Sequence, residues 1–336
     1  TEDGATAKKA VVEHSQGGGG SQKICTFLPL PRKSDQEPGW YKALPASLQG
    51  FQRVEHERKD SALAYLASTK AGRRIYLNRF IVDADQLIVV GSARFDSIYG
   101  ITTGLAEVFP SFSDNPTLEE LSRVRHAHAT GSEKSYPIWK EAEEVGWLLG
   151  MPFVVAVAEA AGGKVSEVFA GSTAAVREQA EAWLKAHAIV HLPYQVDLVI
   201  GTLTGSSREE QLGQVLEAAY HAAQVVHQGG VVAILSTASG TIPAGADMIS
   251  SAESVVAGLT QVRRHKEIDS LPWWHLAHAL EQARVYVSSH FPAEVLESLF
   301  IIPMDQPSQV QQLINQAKSI VVVEGLDRTL LEVSRS

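Results

Sequence analysis

Two residues of opposite charge, Arg94 and Asp96, lie just beyond the strand that the sequence predicts for residues 86–90. In open α/β sheets, ligands bind at the carboxyl ends of the strands. A guanidinium binds carboxylates or phosphates through two parallel hydrogen bonds. Two interpretations are therefore open: Arg94 contacts an anionic ligand, or it forms a structural ion pair with Asp96.

Glycine- and hydroxyl-rich segments offer further anion sites. Residues 236–240 (STASG) and 102–104 (TTG) could present backbone N–H groups to an anion, although both are also ordinary turn sequences. The run Gly17–Gly20 has the composition of a phosphate loop, but such loops follow a strand and open a helix. Here the order is reversed, because residues 6–14 look helical and residues 23–28 look like a strand. We expect a flexible turn.

His275 and His278 stand three residues apart on a predicted helix over residues 273–284. This spacing places both imidazoles on one helix face, where they can hold a metal. No carboxylate or cysteine joins them at a suitable spacing, so packed or solvent-facing histidines are the alternative. The adjacent Trp273 and Trp274 favour a core or interdomain anchor.

The elements that must position these residues alternate between strand-like and helix-like segments, which predicts an α/β fold with largely parallel sheets. The clearest helix covers residues 208–227, begins after Ser206–Ser207 and ends at Gly229–Gly230. Residues 153–169 predict a hairpin around two glycines. A break at residues 191–193 divides the chain into domains 1–192 and 193–336. Predicted strands cover residues 23–28, 86–90, 196–201, 231–235, 284–287 and 319–323, and further helices cover 173–188 and 308–318.

The composition bounds the class of protein. The chain has 336 residues, 45% of them hydrophobic, and a formal net charge of −9, which argues against nucleic-acid binding. The single cysteine, Cys25, excludes an internal disulfide and fits a reducing cytoplasm. The longest apolar run falls short of a membrane span. Because the chain opens at Thr1 without Met, we expect that a natural N-terminal segment is missing.

Residues 85–128 carry an ordered set of signals: a strand ending at Gly91, then Gly100, Gly104 and Pro110. This segment resembles the central motif of the nickel-dependent lactate racemase family. The resemblance extends to other stretches, namely residues 56–79, 153–171, 197–230 and 275–289. It implies two α/β domains with an interdomain cleft that holds the site.

The resemblance also implies a chemistry. The family is understood to invert 2-hydroxy acids by hydride transfer to a nickel-pincer nucleotide, while two histidines exchange the hydroxyl proton. Asp96 stands at the position of the family's catalytic His, and a carboxylate is a weaker base than imidazole unless burial raises its pKa. Gly104 falls in the cofactor-binding turn. Ala106 stands at the position of the family's cofactor-bearing Lys, so covalent attachment is lost there.

Three further positions are carried over from the family. His126 or His128 stands near the nickel-ligand His; a polar loop or helix end is the alternative. Gln214 coincides with a substrate-contacting Gln. Glu217 replaces a Lys that binds the substrate carboxylate, and this anion would repel a lactate-like substrate.

The resulting hypothesis is a divergent lactate racemase-family protein, which is a racemase or epimerase of a 2-hydroxy acid. It would use a nickel-pincer type cofactor without covalent attachment, or altered chemistry. The alternative is a non-catalytic relative that binds a small anionic metabolite. An unrelated dinucleotide-binding enzyme is disfavoured because no glycine fingerprint follows a strand. We expect a cytoplasmic protein without nucleic-acid or membrane partners.

Overall fold

The computed structural model forms two compact units, which are described separately. Unit 1 comprises residues 1–159 and 165–185, and unit 2 comprises residues 160–164 and 186–336. The domain boundary expected at residue 193 stays a prediction. The structure describes residues 9–14, 23–28, 53–56, 59–96, 100–117, 120–121, 137–151, 153–159, 164–203, 212–265 and 268–334.

Unit 1 contains a seven-stranded mixed sheet with the order β3-β2-β1-β6-β8-β9, in which β7 pairs with β6. The pairs β2/β3 and β6/β8 are parallel, whereas β1/β2, β1/β6, β6/β7 and β8/β9 are antiparallel. A separate antiparallel pair joins β4 and β5. The strands are β1 (Lys9–His14), β2 (Lys23–Leu28), β3 (Arg53–Glu55), β4 (Leu63–Ser68), β5 (Arg74–Asn78), β6 (Gln86–Asp96), β7 (Gly100–Thr103), β8 (Phe153–Glu159) and β9 (Val165–Gly171).

Apolar side chains near helix α2 form part of the buried core of unit 1. Phe109 and Phe112, which follow α2, are fully buried together with Leu77 of β5. Burial of this apolar surface is the main contribution to the stability of the unit. The helices are a 3₁₀ turn at Asp60–Ala62, α1 (Arg79–Val82), α2 (Leu105–Val108), α3 (Pro137–Leu148) and α4 (Thr173–His187).

Unit 2 is built on a five-stranded parallel sheet with the order β14-β13-β12-β11-β15, beside a parallel pair of β10 and β16. The central strands are rich in valine, isoleucine and alanine, as expected of strands that are covered on both faces. The strands are β10 (Ile189–Leu192), β11 (Val196–Thr202), β12 (Val226–Leu235), β13 (Ala283–Ser288), β14 (Ile302–Pro303), β15 (Ile320–Val323) and β16 (Leu330–Val333).

Two helices of unit 2 pack against each other and against β12. These are α5, whose face includes Val215 and Ala219, and α8, which buries Trp273 and Trp274. Leu313 of α10 packs into a cluster with Leu198 of β11 and Val231 of β12. The helices are α5 (Leu212–Ala223), α6 (Ala246–Ser250), α7 (Val255–Val262), α8 (Leu271–Gln282), α9 (Ala293–Ser298) and α10 (Pro307–Gln316).

The α/β class predicted from the sequence is confirmed, and so are the 153–169 hairpin and the strand at residues 23–28. The predicted helix over residues 6–14 is wrong, because Lys9–His14 is strand β1, paired with β2 and β6. Pairing on both sides outweighs a weak local helical spacing. The glycines Gly17–Gly20 lie outside the described residues, in the connection between β1 and β2.

The predicted helix over residues 208–227 is too long at its carboxyl end. Helix α5 ends at Ala223, and β12 begins at Val226. The helical pattern misleads here because Val226 is fully buried as a strand residue. Gly229, expected beyond a helix end, has a φ of 78° within β12. The helix starts predicted at Ser206 and Ser207 lie outside the described residues. No described helix is long and apolar enough to cross a membrane.

Candidate active site

One face of the β6–β7 hairpin carries four polar side chains, which we call the polar row: Ser92, Arg94, Asp96 and Thr102. Alternate residues of a strand face the same side, and Arg94 lies opposite Thr102 in the antiparallel register. Ser92, Asp96 and Thr102 are only 8%, 9% and 3% exposed. The row therefore places a buried carboxylate and a half-buried guanidinium at the carboxyl end of β6.

The members of the polar row bond to one another and to nearby backbone. Arg94 Nη2 lies 3.2 Å from Asp96 Oδ2, and Arg94 Nη1 donates to the Phe95 carbonyl at 3.2 Å. The Thr102 hydroxyl donates to the Ser92 carbonyl at 3.0 Å. The ion pair considered for Arg94 and Asp96 is thus present. A ligand contact by Arg94 stays a prediction, as does a catalytic role for Asp96.

The turn after β7 is fixed by Gly104, whose φ is 94°. A Cβ atom there would lie 2.8 Å from Cγ1 of Val154 and 3.4 Å from Cγ1 of Val89. Only glycine allows both this backbone conformation and this close approach to the sheet. The requirement explains Gly104 by packing alone, and its role in cofactor binding stays a prediction.

Ala106 lies on α2, directly after this turn, and is 5% exposed. Its carbonyl accepts a hydrogen bond from the Ser111 hydroxyl at 3.1 Å. A methyl side chain offers no atom for a covalent bond to a cofactor, and burial leaves little room for a group beside it. The described residues around position 106 therefore do not fit a covalently attached nickel-pincer cofactor.

A second buried polar group in unit 1 joins His56, Asn78 and Ser113, which are 0%, 1% and 0% exposed. His56 Nε2 lies 3.2 Å from the Ser113 carbonyl oxygen, and Asn78 Nδ2 lies 3.2 Å from His56 Nδ1. The three residues connect β5 to the segment that follows α2. Sequence analysis missed this group because its members lie up to 57 residues apart, without a recognisable spacing.

The hydrogen bonds of His56 fit one arrangement of donors and acceptors. Asn78 Oδ1 accepts from the Phe80 backbone N–H at 3.0 Å, so the amide nitrogen of Asn78 faces the imidazole. That nitrogen only donates, and the Ser113 carbonyl only accepts. Both contacts fit an imidazole that donates from Nε2 and accepts at Nδ1. This satisfied arrangement holds the segment after α2 in place and is structural in character.

In unit 2, Gln214 and Glu217 lie on α5, near its amino end. Gln214 is exposed, whereas Glu217 is half-buried, with Oε1 4.0 Å from His221 Nε2. The substrate contact of Gln214 stays a prediction, and so does the repulsion of a lactate-like substrate by Glu217. Because α5 runs from β11 back to the start of β12, its amino end, with Gln214, lies toward the carboxyl edge of the parallel sheet, where ligands of open α/β sheets bind.

The segments expected to offer N–H groups to an anion use several of those groups internally. In residues 236–240, the Ala238 N–H donates to the Ser236 hydroxyl at 2.9 Å, and the Ser236 N–H donates to the Ser288 carbonyl at 2.9 Å. Thr102 and Thr103 belong to the β6–β7 ladder. Ordinary turn and strand roles account for these hydrogen bonds.

The two histidines on α8 lie in an aromatic cluster. His275 is 2% exposed, and its ring centroid lies 5.1 Å from that of Tyr220. His278 Nδ1 donates to the Trp274 carbonyl at 3.0 Å, and its ring lies 4.1 Å from the indole. Trp273 donates from Nε1 to the Ala244 carbonyl at 2.7 Å. The packed arrangement considered for His275 and His278 is thus the one present, and the tryptophans form part of the unit 2 core.

His126 and His128, the predicted nickel ligands, lie outside the described residues. Within the described part of the chain, no group of three or more His, Cys, Asp or Glu side chains is arranged to hold a metal ion.

Comparison with known proteins identifies what the chain resembles. Residues 33–135 match the family model described as the lactate racemase N-terminal domain. The lactate racemase apoprotein of Thermoanaerobacterium thermosaccharolyticum superposes with a TM-score of 0.73 at 16% identity, over 86% of this chain and 73% of that one. A structural-genomics structure from Thermotoga maritima gives a TM-score of 0.65 at 13% identity, over 87% of this chain and 80% of that one. No curated protein matches the chain.

Proposed function

We propose that this lactate racemase-like protein binds a small 2-hydroxy acid anion at the polar row and acts on it as a divergent racemase or epimerase. The observation that carries the proposal is the Arg94–Asp96 pair, which is held in the interior at the carboxyl end of β6. Charged side chains are rarely buried without a function or a partner. The matching domain over residues 33–135 includes both residues.

The roles follow from the chemistry of the two side chains. The planar guanidinium of Arg94 is suited to the carboxylate of the ligand. The ionised carboxylate of Asp96, 3.2 Å from that guanidinium, is placed to accept the proton of the 2-hydroxyl group. Gln214 would contribute a further polar contact. The ligand is a small anionic metabolite, and we place the protein in the cytoplasm.

The proposed reaction also needs an acceptor for the hydrogen of the α-carbon. In the lactate racemase family, a nickel-pincer nucleotide takes up the hydrogen of the α-carbon. Ala106 cannot bind it covalently, so the protein would have to hold it without that bond, with His126 or His128 as a ligand of the nickel, or else use altered chemistry. The described residues offer the guanidinium of Arg94 for the anion and the carboxylate of Asp96 for the proton, and no step through the cofactor follows from them.

A non-catalytic relative is the second candidate, and one observation favours it. Arg94 and Asp96 are bonded to each other, as in a structural ion pair, and Ala106 is buried. A protein with these features would bind a small anion and leave its stereochemistry unchanged.

The experiment that separates the two candidates uses 2-hydroxy acids deuterated at the α-carbon, with and without added nickel-pincer cofactor. Chiral analysis follows stereochemistry and label, and calorimetry follows binding. Inversion above the protein-free control supports the racemase. Binding without inversion supports the non-catalytic relative, and absence of both refutes the proposal.

Two variants test whether the polar row is the site. Asp96→Asn should reduce inversion at least tenfold while binding is retained, because the amide cannot take the hydroxyl proton. Asp83→Asn changes an exposed aspartate of the same unit and should leave both unchanged. Equal activity of Asp96→Asn and the unsubstituted protein would remove Asp96 from the mechanism.

A further inference from the structure

Strand β12 contains a bulge at its amino end. Val196 of β11 pairs with Val226, but Leu198 pairs with Val231, so the four residues 227–230 of β12 lie opposite the single residue Asp197 of β11. The side-chain amide of Gln228 donates to the Glu281 carbonyl at 2.7 Å and holds the bulge against the end of α8. Bulges are frequent at sheet edges and beside binding sites, where they redirect side chains.

Two adjacent glycines allow this bulge for different reasons. Gly229 has a φ of 78° with open space around it. A Cβ atom at Gly230 would lie 2.8 Å from the His227 carbonyl oxygen and 3.2 Å from that of Asp197. Any larger residue at position 230 would meet backbone, which cannot move aside as a side chain can.

The bulge forms one wall of a pocket of about 300 Å³ at the amino edge of the parallel sheet, which we call the bulge pocket. This volume lies at the lower end of the range for small-molecule sites. The opposite wall is the end of α10. The side chains and backbone of His227, Gln228, Arg284, Leu313, Gln316 and Lys318 contribute to the lining.

The acidic and the basic side chains of the bulge pocket differ in their partners. Asp197 Oδ2 accepts hydrogen bonds from the backbone N–H groups of Lys318 and Ser319, at 2.9 and 3.0 Å, and from the Ser319 hydroxyl at 3.1 Å. These bonds lower the pKa of Asp197 and commit its carboxylate to the turn after α10. By contrast, the side chains of Arg284 and Lys318 have no hydrogen-bond or ion-pair partner within the described part of the chain.

The balance of charge is positive. Arg284 and Lys318 contribute two positive charges, against one from Asp197 and about half a negative charge from the carboxyl end of α10. A lining of this kind attracts an anion whose oxygens can bond to the guanidinium and the ammonium together.

We propose that the bulge pocket of unit 2 is a second ligand site, which binds a small molecule through a phosphate or carboxylate group held by Arg284 and Lys318. The residues that line this pocket belong to unit 2, whereas the polar row belongs to unit 1. Arg284 lies beside Val231 in the register, so the ligand sits against an apolar row that continues to Leu198.

The test titrates the full chain by calorimetry at low ionic strength with two probes, inorganic phosphate and succinate. Neither carries a 2-hydroxyl group, so neither reports on racemase substrates. Arg284→Gln and Lys318→Gln should each weaken binding at least tenfold, and added salt should weaken binding of the unsubstituted protein because it screens exposed charges. Both side chains are exposed, so the variants should fold.

Arg264→Gln is the matched control, because it removes an exposed cation of the same unit outside the pocket. Binding of phosphate alone, lost in the two pocket variants only, assigns a phosphate-bearing ligand. The same pattern with succinate assigns a carboxylate. Absence of binding by both probes, or equal weakening in Arg264→Gln, overturns the proposal. Unchanged 2-hydroxy acid inversion in Arg284→Gln would separate this site from the polar row.

Discussion

The interior polar groups of unit 1 and the bulge pocket of unit 2 place polar side chains in opposite situations. In unit 1, Arg94 and Asp96 pair with each other, and His56 is satisfied by Asn78 and Ser113. In unit 2, Arg284 and Lys318 lie at the surface of a pocket without such partners among the described residues.

This difference predicts which substitutions affect folding and which affect ligand binding. A buried charge or amide that loses its partner keeps the cost of leaving water, so folding depends on each member of the group. An exposed cation is solvated whether or not a ligand is present, so folding hardly depends on it. Substitutions should therefore lower stability in unit 1 and lower binding in unit 2.

The largest expected effect is that of Asp96→Ala. This change leaves the half-buried guanidinium of Arg94 without its carboxylate, and we expect a loss of about 3 kcal/mol in the free energy of unfolding. Arg284→Ala, the matched change in the bulge pocket, should alter it by less than about 0.5 kcal/mol. Urea unfolding measures both. Similar losses in the two variants would contradict the contrast between the units.

The next effect is that of His56→Phe, which keeps an aromatic ring and removes the imidazole nitrogens. The Ser113 carbonyl and the Asn78 amide then lose a partner inside the protein, and we expect a loss of about 2 kcal/mol. His221→Phe is the control, because this ring is more exposed than that of His56. A loss as large in the control would show that these aromatic substitutions destabilise generally.

Two glycines of the bulge separate steric contact from backbone strain. Gly230→Ala should cost about 2 kcal/mol, because its Cβ would meet two backbone oxygens, at 2.8 and 3.2 Å. Gly229→Ala should cost only about 1 kcal/mol, since the strain of a positive φ acts there without a clash. Thermal unfolding gives the order of the two. The reverse order would contradict the bulge geometry.

The sequence predicts much of the fold, because long periodic segments depend on local pattern. The 153–169 hairpin and helix α4 show this, as do the valine-rich strands of unit 2. The predictions are wrong where tertiary pairing determines the secondary structure. Lys9–His14 is a strand because it pairs with β2 and β6. The apolar pattern of α5 continues to Val226, although that residue is already the first of β12.

The sites are less predictable for a physical reason. Arg94 and Asp96 are neighbours on one strand, so their pairing follows from the alternation of side chains. His56 contacts Ser113 only because β5 brings distant segments together, and no spacing of residues in the sequence predicts this contact. The bulge pocket depends on a register shift between two strands, which the sequence shows only as two adjacent glycines.

The smallest expected effect concerns pH. Hydrogen bonds from the Lys318 and Ser319 backbone lower the pKa of Asp197 in the folded protein. Its ionised carboxylate therefore stabilises the folded state above the ordinary carboxyl pKa of about 4, and this contribution is lost as the pH falls through the lower folded-state value. Asp197→Asn should accordingly be less stable than the unsubstituted protein at pH 7, and the difference should shrink in acid.

Thermal unfolding of both proteins from pH 7 to pH 3 measures this difference. Asp305→Asn, an exposed aspartate of unit 2, should follow the unsubstituted protein across the range. If the stability difference between Asp197→Asn and the unsubstituted protein is independent of pH, the amide destabilises the fold because it cannot accept the same hydrogen bonds. The charge of the carboxylate would then make no contribution to stability. A difference that shrinks in acid would mean that the carboxylate is committed to the turn after α10, which leaves Arg284 and Lys318 to attract the ligand of the bulge pocket.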